Sequence, residues 1–209
     1  MKKVIQTILY WLISWTWGII MTLFGAIVGL ISLIRGHRPC RYKQAIYFQD
    51  FGKNWGGFEA GCFFFTDENT CSSVCSHEWG HSLQNLVLGP FMPFVVSLPS
   101  CIRYWLREQK TIKSKYKFAI ILIALLLLIP AVLLLLGYIL GHIQVLLIIG
   151  YVLLNYIVLL GYWLIFIETP KYKEGYGPAY DDIWFEGLAT KLGEKYYKPG
   201  DYQPHKVKF

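Results

Sequence analysis

Within CSHEWGHSLQN, residues 75–85, His77, Glu78 and His81 stand in the spacing H-E-x-x-H. A helix turns about 100° per residue, so His77 and His81 fall about 40° apart and two imidazoles a turn apart can share one metal ion. Glu78 is offset about 100° from His77, which sets its carboxylate beside the metal and not on it. Zn2+ lowers the pKa of a bound water toward ~7, and a carboxylate placed there takes the proton during attack and returns it to the leaving amine. The chemistry expected is peptide-bond hydrolysis by Glu-assisted attack of zinc-bound water. Three fixed letters alone are a moderate signal, but two of the chain's five histidines fall in this spacing. Gly80 sits inside the same predicted helix, where it costs about 1 kcal/mol relative to Ala; a glycine there lets another backbone approach closely.

A catalytic zinc takes three protein ligands and keeps one position open. His142, in a turn between two apolar runs, and His37, beside the first apolar run, are poorly placed for the third. Asp181, Asp182 and Glu186 lie in DDIWFEGLATKLG, residues 181–193, which reads as a short helix stopped by Gly193. Glu186 stands out because Gly187, Leu188 and Ala189 follow it, so the helix can present a carboxylate while packing tightly on another helix. Gln84 or Asn85 can orient a ligand histidine. Tyr176 and Tyr180 are candidate oxyanion donors, a weak signal in a chain with 15 tyrosines.

The elements around this site follow from local pattern. Gln44–Asp50 alternates polar and apolar residues, FGKNWGG supplies a turn, and Phe58–Phe65 is a second extended run, so a β-hairpin is expected beside the H-E-x-x-H helix. The helix runs from about Cys71 to Leu88, where Gly89 and Pro90 end it. Residues 86–102 are apolar but contain Pro90, Pro93 and Pro99, each removing a backbone hydrogen bond that lipid cannot replace. A re-entrant or interfacial segment is therefore expected there, not a crossing.

The solvent for much of the chain reads as lipid. Of 209 residues 55% are hydrophobic and only 16% charged, with a mean hydropathy of +0.41. Val4–Ile34, Phe118–Leu140 and Ile143–Ile167 carry no charge and each exceeds the roughly 20 residues needed to cross a bilayer core. The expected fold is thus mainly α, with about three transmembrane helices. Its parts are an N-terminal anchor over 1–34, the hairpin, metal helix and re-entrant segment over 35–117, a helical hairpin over 118–167 and a tail over 168–209 carrying the Glu186 helix. The first run follows Lys2 and Lys3 as a signal peptide would, but lacks a small-x-small cleavage site and reads as a retained anchor. Asn155, an amide deep in the third run, suits a helix–helix hydrogen bond.

The net charge of +7 gathers at the edges of these runs, as Arg35, Arg38, Arg41 and Lys43, then Arg103, Arg107, Lys110, Lys113, Lys115 and Lys117. That is the cytoplasmic signature of a membrane protein and argues against nucleic acid as a partner. The bilayer and a peptide or membrane-protein substrate are the partners expected. Cys40, Cys62, Cys71, Cys75 and Cys101 show no C-x-x-C pair and fit a reducing compartment as small buried hydrophobes; Cys71 and Cys75, a turn apart, can approach the metal side of the helix.

HEWGH followed by Glu186-Gly-Leu-Ala189 resembles the gluzincin arrangement of membrane metalloproteases such as the CAAX prenyl-protease and HtpX group. Trp55-Gly56-Gly57, His77 to His81, Gln84, Leu88-Gly89-Pro90, Pro99-Ser100 and Glu186 to Gly193 also resemble a set of small bacterial integral-membrane HE[YW]GH proteins. The resemblance implies His77, His81 and Glu186 as zinc ligands, Glu78 as catalytic base, and an edge strand that pairs with extended substrate. It departs from the prenyl-protease pattern at Thr190, where an Asp commonly stands. A bacterial cytoplasmic membrane with the site on the cytoplasmic side is the expected location. The alternative is a non-catalytic, zinc-stabilised membrane scaffold or immunity-type protein. A metal transporter is disfavoured because the apolar runs hold no ionisable residue.

Overall fold

The computed structural model describes residues 2–49, 52–53, 55–68, 72–172, 178–196 and 205–206. They form a mainly helical fold with one small mixed sheet. Met1–Leu98 with Tyr180–Phe209 make one unit, and Pro99–Ala179 make the other.

The first unit begins with α1 (Lys2–Thr16) and α2 (Ile19–Ile34). Together they cover the first apolar run, but the chain bends by 95° between them, so the expected single straight span is corrected to a broken pair. The cause is local. A Cβ on Gly18 would lie 2.5 Å from the Asn85 amide nitrogen, and the Trp17 indole N–H donates to the Val87 carbonyl at 3.1 Å. The break is therefore pinned to the far end of the metal helix.

The expected hairpin is two hairpins. Strands β1 (Pro39–Tyr42) and β2 (Ala45–Phe48) pair antiparallel, as do β3 (Gly57–Ala60) and β4 (Phe63–Thr66), while β2 and β4 run parallel. A two-residue β5 (His205–Lys206) lies against β1. The run Phe58–Phe65, read as one strand, is turned at its middle by Gly61, whose φ of +76° is open to glycine at no steric penalty. Aromatic stacking holds the sheet, with ring centroids 5.0 Å apart for Tyr47 and Phe64 and 4.9 Å for Phe58 and Phe65. Gly25 and Gly29, one turn apart, bring α2 down on Ala60 and the Phe48 ring.

Helix α3 (Ser72–Leu88) carries the H-E-x-x-H residues and passes into a 3-10 turn at Gly89–Phe91, then a wide turn at Pro93–Ser97. The proline-rich segment is thus not one straight helix, as expected. Cys71 and Tyr176 lie outside the described residues. Helix α7 (Trp184–Tyr196) follows a 3-10 turn at Tyr180–Asp182. Gly193 does not stop it: the residue lies inside α7, where a Cβ would come within 2.2 Å of the Ser76 carbonyl.

The second unit holds α4 (Leu98–Glu108), α5 (Ile112–Ile139) and α6 (Gln144–Tyr162). Of the described helices, α5 and the helical run Gln144–Tyr172 are long and apolar enough to cross a membrane. They form an antiparallel hairpin in which Gly137 meets Leu147, Gly150 meets Leu134 and Gly161 meets Ile123. A Thr111–Ser114 capping box begins α5 six residues before the apolar run. The polar end of the hairpin is tied internally: buried Arg103 donates Nε–H to Glu168 at 2.8 Å, and Lys171 donates to the other carboxylate oxygen at 2.8 Å. Asn155 is exposed and donates to the Tyr151 carbonyl of its own helix. Cys40, Cys62 and Cys75 are buried thiols as expected, whereas Cys101 is exposed.

The α3–α7 contact is the closest packing in the first unit. A Cβ on Gly80 would stand 2.0 Å from the Ala189 carbonyl oxygen. In an open helix Gly80→Ala would add about 1 kcal/mol of stability; here overpacking reverses the sign and the loss is about 1–3 kcal/mol. Thermal unfolding of the purified variant checks the lowered midpoint.

Candidate metal centre

Helix α3 has the 3.6-residue period that brings His77 and His81 to one face, and α7 crosses it with Glu186 in its first turn. Small residues set the distance. Gly80 and Ser76 on α3 meet Ala189 and Gly193 on α7 backbone to backbone, so the carboxylate of Glu186, fully buried, is driven between the two imidazoles. The carboxylate oxygen Oε2 of Glu186 lies 3.1 Å from His77 Nε2 and 3.0 Å from His81 Nε2, and the two Nε2 atoms are 3.1 Å apart. The group expected from the sequence is thus assembled.

Hydrogen bonds decide what those three atoms are. The Gln84 amide donates to the Phe185 carbonyl at 2.7 Å, which turns its oxygen toward His81 Nδ1 at 2.8 Å. An amide oxygen only accepts, so His81 donates Nδ1–H to Gln84 and turns Nε2 to the Glu186 carboxylate; burial lowers the His81 pKa, and the hydrogen bond and charge of Glu186 more than offset it. Thr190 donates to Asp181 Oδ1 at 3.2 Å, leaving its oxygen to accept from His77 Nδ1 at 2.9 Å. His77 likewise turns its Nε2 to the carboxylate. Two Nε2 atoms and a carboxylate oxygen converge within ligand distance of one another, a group that could hold a metal ion.

The spacing fits. Ligand atoms of a tetrahedral ion with bonds of about 2.0–2.1 Å lie about 3.3 Å apart, close to the triangle here. His77, His81 and Glu186 form the one group of three His, Cys, Asp or Glu side chains among the described residues that can hold a metal ion. Cys75, a turn before Trp79, is packed in the aromatic core and not in this group.

Glu78 is buried at 5% exposure and is not in the ligand triangle. Its carboxylate lies against β3, where Gly57 has no side chain to displace it: a Cβ there would be 2.9 Å from Glu78 Oε1. Burial pushes the Glu78 pKa up, the imidazoles of His77 and His81 pull it back, and the Glu186 carboxylate adds to the rise. The Tyr180 ring lies 6.0 Å from that of His77. Asn85, the other candidate for orienting a histidine, points away toward the α1–α2 break. Asp181, one of the acidic residues considered for the third ligand, instead supports His77 through Thr190; spacing did not reveal that role. No family model, curated protein or solved structure matches the chain.

Removing the acceptor for His77 Nδ1–H while keeping shape, as in Thr190→Val, lowers metal affinity about 10–100-fold. Gln84→Leu does the same through His81. Chelator competition on purified protein measures both, and affinities equal to wild type would show that these contacts do not hold the imidazoles.

Proposed function

We propose that the chain is a membrane-embedded zinc metallopeptidase of gluzincin type, with His77, His81 and Glu186 as zinc ligands and Glu78 as general base. The observation that carries this reading is the convergence of His77 Nε2, His81 Nε2 and Glu186 Oε2 with both Nδ1 atoms already bound as donors. Histidine with carboxylate suits zinc, and three ligands leave the open position that a hydrolytic site uses. Zinc there supplies Lewis-acid activation of water and of the scissile carbonyl.

Glu78 holds the proton at its carboxylate between attack and departure of the amine, and its burial favours the protonated form at the step where it must donate. Strand β3 is at the edge of the sheet. The Gly61–Cys62 turn and the Asp67 N–H to Gly56 carbonyl bond fix its phase, so Phe58 and Ala60 bond to β4 while Gly57 and Glu59 turn their N–H and C=O outward. An extended peptide adding to that edge passes Glu78, which lies against Gly57. The substrate edge is therefore β3 alone; β4 lies between β3 and β2. Tyr180 is the candidate donor to the developing oxyanion.

The setting supports a membrane location. Two apolar helices of crossing length separate α3 from α7 in sequence, and two crossings return Glu186 to the side of His77. With the basic clusters on that side, the site faces the cytoplasm of a bacterial cell, and the bent α1–α2 pair enters the bilayer as a third apolar element. A peptide or membrane-associated protein is the substrate class.

Glu78→Gln keeps one zinc per chain and lowers hydrolysis by about 10²–10⁴-fold, whereas His77→Ala or His81→Ala loses the metal. The test compares wild type and Glu78→Gln on a broad peptide library in detergent, with new termini read by mass spectrometry. Zinc-loaded wild type that cuts nothing more than Glu78→Gln would contradict the peptidase and favour the zinc-stabilised scaffold.

A further inference from the structure

On α3, Glu78, Ser82 and Asn85 follow one another at i, i+4 and i+7, a second polar stripe beside the one bearing the ligands. Asn85 is fully buried, yet neither its amide oxygen nor its NH2 has a hydrogen-bond partner. Glu59, on the same face of β3 as Gly57, is 94% buried by its 6% exposure; it accepts from the Gly61 N–H, but its Oε2 has no partner. Polar groups flank both. The Tyr10 hydroxyl of α1 lies beside Ser82 and within electrostatic reach of Glu59, Glu59 in turn reaches Glu78, and the Asn85 amide lies over Gly18 beside the Ser14 carbonyl.

An apolar core does not retain an amide with up to four hydrogen-bonding positions unmet; native interiors satisfy such groups with ordered water, provided the site is polar and offers two or more partners. Here Asn85, Glu59 Oε2, the Tyr10 hydroxyl and the Ser14 carbonyl supply them. We propose that the seam between α3, α1 and β3 is a built site for internal water, connecting the base Glu78 to the α1–α2 break. Resting on the peptidase reading, its role is to replenish water from behind the metal while substrate along β3 closes the front. Each hydrolysis consumes one water: its oxygen joins the carbonyl carbon as the C–N bond breaks, and near neutral pH both of its protons end on the amine, which leaves as ammonium beside a carboxylate. A site in an apolar setting therefore needs a route for water. Ser82 does not fill the seam itself, since its hydroxyl donates to the Trp79 carbonyl at 2.8 Å.

Radiolytic hydroxyl-radical footprinting of the intact wild-type protein in nanodiscs tests hydration without any variant and without activity, because radicals formed from bound water modify the side chains beside it. Tyr10 and Tyr47 belong to one buried core cluster, at 4% and 0% exposure, and differ in that the Tyr47 ring is stacked on Phe64 while the Tyr10 hydroxyl lies beside Ser82 at the seam. Tyr10 is expected to be modified at least several-fold faster than Tyr47; equal protection would overturn the proposal. Asn85→Leu is expected to lower Tyr10 modification and slow peptide hydrolysis several-fold with zinc content unchanged. Unchanged hydrolysis in that variant would overturn the supply role. A wet seam in a protein that hydrolyses nothing would contradict the peptidase reading and leave the water site standing, so the two failures are distinguishable.

Discussion

The site depends on one backbone contact, the approach of α7 to α3 at Gly80 and Ala189. Any side chain at residue 80 would occupy the place of the Ala189 carbonyl, and the same holds at Gly193 against Ser76. Because the two helices meet with almost nothing between them, a short glutamate side chain one turn before Ala189 reaches across to both imidazoles. Glycine inside a helix is unfavourable by local propensity, so its presence on both partners marks a contact that tertiary structure requires.

That contact creates an electrostatic demand. Glu186 is fully buried and faces the Nε2 atoms of both histidines, and a carboxylate is stable in such a place only with compensating charge and hydrogen bonds. Gln84, and Thr190 backed by Asp181, hold the two Nδ1–H groups, so both rings turn Nε2 toward Glu186. A cation satisfies all three atoms at once. The surrounding elements then have defined tasks: β3 lies against Glu78, the aromatic sheet supports β3, and the bent α1–α2 pair covers the sheet and the far end of α3.

Much of this was legible in the sequence because it rests on periodicity and on residue size. The spacing of His77, Glu78 and His81 defined one helical face, the small residues after Glu186 marked a packing surface, and uncharged length marked α5 and α6. What was not legible depends on where separate segments meet. Gly193 looked like a helix stop because glycine ends helices more often than it packs them. Gly61 was hidden in an aromatic-rich run, so two strands read as one. The bend at Gly18 is set by Asn85, 67 positions away, and an apolar run holds no trace of it. Asp181 reaches His77 only through Thr190, so no pairwise spacing could assign it.

The central claim is a single ion bound by two imidazole nitrogens and one carboxylate oxygen. X-ray absorption at the zinc edge, on protein purified without added metal, tests it directly. The predicted result is about one zinc per chain with only nitrogen and oxygen neighbours at about 2.0–2.2 Å, lost in Glu186→Ala. Metal-free protein, or a sulfur neighbour at about 2.3 Å from a cysteine, would contradict it.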